Sequence, residues 1–222
     1  MYGEGQQGGG FDVRIGSTLF LQFKLCERLT RRSAKETKVG LIEPPFYRFW
    51  LHRRNHSSQH NMLIDLESQP GNRVYCIAPG FAELAALNAS YAGRRVVSDS
   101  AMFSPTDIGP LRDDGAHRVA FRLGDPTGWF MSEPRAIHIH RKEDVLDFGK
   151  GREVSADPAR VEEWLYTVAG RMKDIIARSE GKKVGSLLFQ DDVAERRDPL
   201  QEVAYLARAY FSCEVLFVVE PR

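Results

Sequence analysis

An acid, an amide and an amine fall within thirteen residues of one another near the start of the chain: Asp12, Gln22 and Lys24, in the stretch GGGFDVRIGSTLFLQFKL at positions 8–25. Together such groups suit metal-assisted hydrolysis. Mg²⁺ takes hard oxygen ligands, usually one or two carboxylates with carbonyls, waters and substrate phosphate oxygens. Asp12 would supply the charge and Gln22 a neutral oxygen. Lys24 would orient or help deprotonate an attacking water and offset charge building on a phosphate.

These side chains can act together only if the backbone brings them together. Phe11, Val13 and Ile15 alternate with polar residues, and Leu21, Phe23 and Leu25 do the same after Gly16-Ser17-Thr18. That pattern predicts two strands, 11–15 and 19–25, folded into a hairpin across the three-residue turn. If Ile15 pairs with Leu19, Asp12 lies opposite Gln22 with Cβ atoms ~5 Å apart, and Lys24 is a diagonal neighbour at ~7–8 Å. A slip of one residue would turn Asp12 into the core. The same residues would equally make the solvated face of a hairpin without chemistry.

Further along, FYRFWLH (46–52) reads as a strand, SSQHNMLIDLES (57–68) as a helix, RVYCIAP (73–79) as a buried strand and GFAELAALNASYAG (80–93) as a second helix. Residues 94–104, 117–124 and 135–141 read as strands separated by turns such as RDDG and GDPTG. Asp157-Pro158 opens a long helix whose apolar stripe is Val161, Trp164, Leu165, Val168, Met172, Ile175 and Ile176. Then come a strand (VGSLLFQ), a helix over 199–212 and a closing strand (CEVLFVVE). Mixed strands and helices define an α/β (α+β) class. The chain divides into 1–93, carrying the hairpin, and a 94–222 elaboration packed on it as one globular unit.

The run GGGFDVRIG…LFLQFK resembles the PD-(D/E)xK, or restriction-endonuclease-like, nuclease superfamily, in the variant where glutamine replaces the acid of the third motif. The resemblance covers about the first third of the chain. By position it implies that Asp12 and Gln22 hold Mg²⁺ or Mn²⁺ and that Lys24 is the catalytic lysine. The family often adds a glutamate from a helix before the hairpin; the acid upstream here is Glu4, in a glycine-rich stretch unsuited to that helix. The family core is a mixed central sheet flanked by helices, in the order helix, three strands, helix, strand. Residues 10–79 read as three strands, a helix and a strand.

The charge distribution agrees with a polyanionic partner. The whole chain is nearly neutral, at +1. Between Gln22 and His56, however, nine Lys or Arg face three acids, Glu27, Glu36 and Glu43. Such a patch is an electrostatic footprint for nucleic acid. Arg28, Arg31 and Arg32 are expected to hold phosphates; Arg48 and His52, alternating with Trp50 on the third strand, to line the groove; and His60 to reach phosphate from the helix start.

Other chemistries find less support. The three cysteines (Cys26, Cys76, Cys213) have no zinc-site spacing and read as reduced thiols. His56/His60 and His138/His140 are spaced to share a metal, but no third ligand accompanies either pair. No Walker or dinucleotide fingerprint is present, so no nucleotide cofactor is expected. No apolar run has the ~18 residues of a membrane helix. The first residues lack the regions of a secretion signal, and the cytoplasm is the expected location. The sequence thus leads to a metal-dependent nuclease acting on DNA, in defence or repair, with the second half wrapping the core, recognising substrate or forming a homodimer. The alternative is a non-catalytic module of similar fold that binds nucleic acid or protein.

Overall fold

The computed structural model describes residues 14–53, 58–146, 158–180 and 198–220. Within them the chain is mixed α/β, built on two sheets. Sheet A has the order β5-β4-β1-β9, with β1 Arg14–Phe23, β4 Asn72–Pro79, β5 Ser100–Phe103 and β9 Glu214–Glu220. Sheet B is antiparallel, in the order β2-β3-β6-β7-β8, with β2 Glu27–Leu29, β3 Phe46–Leu51, β6 His117–Phe121, β7 Thr127–Phe130 and β8 Arg135–His138. Each sheet draws strands from both sides of residue 93.

The expected hairpin is absent. Residues on both sides of Gly16-Ser17-Thr18 belong to one strand, β1. It pairs in parallel with β4 (Thr18 with Asn72 through Phe23 with Ile77) and antiparallel with β9 (Arg14 with Glu220 through Leu21 with Glu214). Ile15 therefore pairs with Val219 and Leu19 with Leu216, rather than with each other. The register shifts between Ile15 and Ser17, so Gly16 is the extra residue of a β-bulge. A lone glycine in a strand often marks a bulge rather than a turn. Two-sided burial explains why β1 sits inside the sheet. Phe20 is buried against helices on one face, and Leu19 packs with Tyr75, Ile77 and Met102 on the other.

The helical layer on the Phe20 face comprises Gln59–Glu67 (α2), Pro158–Glu180 (α6) and Pro199–Phe211 (α7). The expected stripe on α6 faces this core: Leu165, Val168, Met172, Ile175 and Ile176 are buried, with Val161 and Trp164 at its margin. An ion pair between Lys173 and Glu202 (2.7 Å) ties α6 to α7 inside it. Asp198 caps α7 through Leu200 N, ahead of Pro199 at the first turn. A second core joins the sheets, with Phe49, Val119, Phe121 and Phe130 of sheet B against Cys76, Ala78 and Phe103 of sheet A.

Among the described residues there are four further short helices: Lys35–Lys38 (α1), Leu84–Ala92 (α3), Pro105–Ile108 (α4) and Lys142–Leu146 (α5). Two differences from the sequence reading lie in the middle of the chain. Thr127–Phe130 is a strand where GDPTG suggested only a turn, and residues 94–99 are turns before β5. The expected strand VGSLLFQ lies outside the described residues, as does the expected cap Asp157. Among the described residues no helix is long and apolar enough to cross a membrane.

Candidate functional site

Gln22 and Lys24 stand at the carboxyl end of β1, beside the carboxyl half of the parallel strand β4. In open α/β sheets this is where ligands are commonly held. Gln22, two residues after Phe20, shares its face of β1, the one toward the helices, so its side chain enters the seam between the helical core and sheet B. It is buried there. Its Nε2 donates to Gln59 Oε1 (2.8 Å) and to the Phe211 carbonyl (3.2 Å). The Cys76 thiol makes a long contact with its Oε1 (3.6 Å). Gln59 Nε2 continues the chain to Ser212 Oγ (2.8 Å). Ser212 ends α7 in the left-handed conformation (φ 48°), which turns the chain into Cys213 and β9. One carboxamide thus ties together β1, α2, β4 and the end of α7.

Two acceptors on Nε2 fix which end of the Gln22 amide is oxygen. Oε1 keeps lone-pair capacity, because a thiol is a weak donor. As a neutral hard ligand that oxygen fits a divalent cation. Among the described residues no cluster of three His, Cys, Asp or Glu could hold a metal, and a carboxylate would have to come from elsewhere in the chain. Asp12 and Glu4 lie outside the described residues. The cross-strand pairing expected to set Asp12 against Gln22 is replaced: β1 meets β4 on one edge, where Gln22 faces Cys76, and β9 on the other.

Lys24 is half-buried just past the end of β1, its backbone N–H bonded to the Ile77 carbonyl (2.9 Å). Its charge acts on His60, Cys76 and Cys213. Among the described residues no carboxylate lies within ion-pair distance of its ammonium. Burial dominates its neighbours. It pushes the Cys76 and Cys213 thiols well above the ordinary range, with Lys24 opposing. It pushes Cys26 up to about 12.

His60 corrects an expectation. Located in the first turn of α2, it is buried instead of exposed to phosphate, because that turn is the part of α2 that meets the Gly109 loop. Burial lowers its pKa to about 4, opposed by the hydrogen bond to Gly109 and aided by the charges of Lys24 and His117. The ring is therefore neutral at pH 7, with Nε2–H donating to the Gly109 carbonyl (2.9 Å) and Nδ1 buried without a partner.

Arg48 is the second correction. Its guanidinium reaches Glu27 (Nη2–Oε2 2.8 Å) and Glu36 (Nη1–Oε1 3.2 Å), and Arg118 joins it on Glu36. Trp50 donates to Glu27 Oε1 (3.0 Å), while Arg48 and Arg118 lie over its ring. These groups clamp the segment carrying α1 onto the outer face of sheet B, so Arg48 is occupied by structure and does not line a groove. Burial raises the Glu36 pKa, but its own backbone amide, the Arg48 hydrogen bond and the charges of Arg118 and Arg48 outweigh this and hold it low. The Trp50 hydrogen bond leads in lowering Glu27; burial, next in size, opposes it, and the Arg48 hydrogen bond with the charges of Arg48 and Arg118 leaves the pKa low.

The remaining basic candidates are on the surface. Arg28, Arg31, Arg32 and His52 are exposed, and so are Lys35, Lys38 and Arg53. Arg32 makes one loose, exposed contact with Glu43 (3.8 Å). Glu27 and Glu36 are turned toward Arg48, so the exposed part of this segment is more uniformly positive than its composition suggests. His138 and His140 stand edge to face at 4.6 Å, with His140 Nε2 on Asp107 (2.8 Å); His56 is outside the described residues.

The sequence did not single out Gln59 or Cys76 as partners of Gln22, or Ser212 as the partner of Gln59. Gln59 was legible only as a polar residue at a helix start, and Ser212 lies 153 residues from it. No family model matches the chain, and neither the curated proteins nor the solved structures contain a significant match.

Proposed function

We propose that the chain binds DNA through its exposed basic segment and hydrolyses phosphodiester bonds as a Mg²⁺- or Mn²⁺-dependent nuclease of the PD-(D/E)xK kind. The observation that carries this reading is Lys24. A half-buried lysine without a described carboxylate partner stands at the carboxyl end of a parallel strand pair, two residues beyond the anchored amide of Gln22. On the same segment, Arg28, Arg31, Lys35, Lys38 and Arg53 are exposed. Lys24 would place the attacking water and offset the negative charge that develops as the water oxygen bonds phosphorus and the P–O ester bond breaks. Gln22 Oε1 would be the neutral ligand and Asp12 the carboxylate. A bound divalent ion would polarise the phosphate and acidify the water. The exposed arginines and lysines would grip the backbone without reading sequence, giving affinity that falls steeply with salt.

The pairing of β1 with β4 and β9 favours a second reading, in which the same surface binds nucleic acid without cutting it. One experiment separates the two. Purified protein is incubated with supercoiled plasmid and with single-stranded DNA in Mg²⁺, Mn²⁺ or EDTA, and binding is followed on the same samples. The nuclease reading expects metal-dependent cleavage that Asp12→Ala and Lys24→Ala each abolish while binding persists. Binding without cleavage in either metal would establish the second reading; cleavage indifferent to both substitutions would locate the activity elsewhere.

A further inference from the structure

Helix α3, Leu84–Ala92, has the sequence LAALNASYA, without a charged residue and with apolar groups on every side. A helix of that composition is ordinarily a buried one. Here Ser90 is its one buried residue; Leu84 is 72% and Tyr91 77% exposed, and Val97, just beyond, is 54% exposed. The helix is held by its own C-terminal loop. Ser90 Oγ donates to Asp99 Oδ2 (2.7 Å), and the Arg95 N–H donates to the Ser90 carbonyl (2.7 Å). Its place is therefore fixed while its large apolar side chains stay open to water.

We propose that α3 is a self-association element, in which two copies of this chain pair α3 against α3, antiparallel, about a two-fold axis. The argument for a second copy is charge complementarity. Glu83 precedes the helix, and Arg94 and Arg95 follow it. Arg95 is engaged with Asp99 (3.3 Å). Glu83 and Arg94 are exposed, and among the described residues neither forms an ion pair. Each lies five and a half residues from the point midway between Asn88 and Ala89, roughly 8 Å along the axis at the α-helical rise. A two-fold axis through that point sets Glu83 level with the partner's Arg94 at both ends, and opposes the helix dipoles. Parallel pairing would instead set like charges together. Between the charged ends, Leu84 falls within about 3 Å, along the axis, of the partner's Tyr91. The surface is thus its own complement, as a two-fold interface requires. So short a helix covers less than the roughly 800 Å² per partner of a standard interface, so the dimer is weak and reversible, with a dissociation constant on the order of 0.1 mM.

The test is sedimentation equilibrium of the full chain from about 10 to about 500 μM, a range that brackets this constant. The average mass is expected to rise with concentration from 25.2 kDa toward twice that value. Leu84→Glu with Tyr91→Glu should lower the association constant at least tenfold. Glu83→Arg and Arg94→Glu should each weaken it, and the two together should restore it. These sites are exposed, and unchanged circular dichroism verifies that each variant folds. A monomer at every concentration would overturn the proposal and leave α3 to another partner. So would a dimer indifferent to the Leu84/Tyr91 pair, or a charge-swapped double variant no better than its singles.

Discussion

Lowering the pH from 7.5 to 5.0 offers a proton to every imidazole, and His60 is placed to refuse it. The ring is buried, Nε2–H is committed to the Gly109 carbonyl, and the Nδ1 that would take the proton faces no acceptor. Its pKa is about 4 in the folded chain against an ordinary 6.5. Between those values the unfolded chain binds the proton and the folded chain does not, so stability is complete above about pH 6.5 and drains away as pH falls toward 4. At 1.36 kcal/mol per unit the whole effect is about 3 kcal/mol, of which about 2 kcal/mol falls between pH 7.5 and 5.0. Glu27 and Glu36, held below their ordinary 4.5, lose stability only at lower pH and are silent in this window. Urea unfolding at the two pH values, extrapolated to water, measures the loss. His60→Gln keeps an N–H for Gly109 but cannot titrate, so wild type should lose about 2 kcal/mol more than the variant. Equal losses in both proteins would refute a buried neutral imidazole at this position.

Other perturbations have equally direct readouts. Gln22→Glu replaces a donor facing two acceptors, Gln59 Oε1 and the Phe211 carbonyl, and should cost about 1–3 kcal/mol in urea unfolding at pH 7 even if the Gln59 amide flips. Tolerance of that carboxylate would show that the amide network does not constrain the position. Glu36→Gln removes the charge between Arg48 and Arg118 and should destabilise by about 3 kcal/mol; a loss under 1 kcal/mol would mean that the clamp contributes little. Gly128→Ala would set a Cβ 2.7 Å from the Phe103 ring and 3.2 Å from the Ala120 carbonyl, and should lower stability by about 1–3 kcal/mol, read from the urea midpoint. Arg28→Ala and Arg31→Ala should each shallow the salt dependence of DNA binding by about one unit of log–log slope, whereas Arg48→Ala should chiefly lower the melting temperature.

Local periodicity carried most of the helices and several strands because each rests on contacts close in sequence. The α6 stripe from Val161 to Ile176 needed only a 3.6-residue repeat, and the helix read over 199–212 is α7, Pro199–Phe211. Pairing was the part that periodicity could not supply. Alternation on each side of Gly16 reads as two short strands or as one bulged strand, since it reports each segment by itself and not how the two are joined. The choice was made by β9, some two hundred residues later, which occupies the edge of β1 that a hairpin partner would have taken. The same distance hid the role of Gln22, whose hydrogen-bond partners come from α2 and the end of α7. Arg48 and Glu36 were legible as charges, but the packing of the α1 segment over sheet B, which brings them into contact, has no local signature.

The two readings of the β1 terminus differ in what they require of one amide. An oxygen that is to meet a cation must be held still, and the two acceptors on Gln22 Nε2 do that whether or not a cation ever arrives. Those contacts alone would justify glutamine here, because leucine would leave two buried acceptors unpaired. Lys24 has no such explanation. The residue is half-buried, its charge acts on two raised-pKa thiols and a neutral imidazole, and among the described residues no carboxylate pairs with it. In the nuclease proposed above, a phosphate of the substrate would be its counter-charge. It is thus the lysine, more than the glutamine, that gives the end of β1 the character of a site.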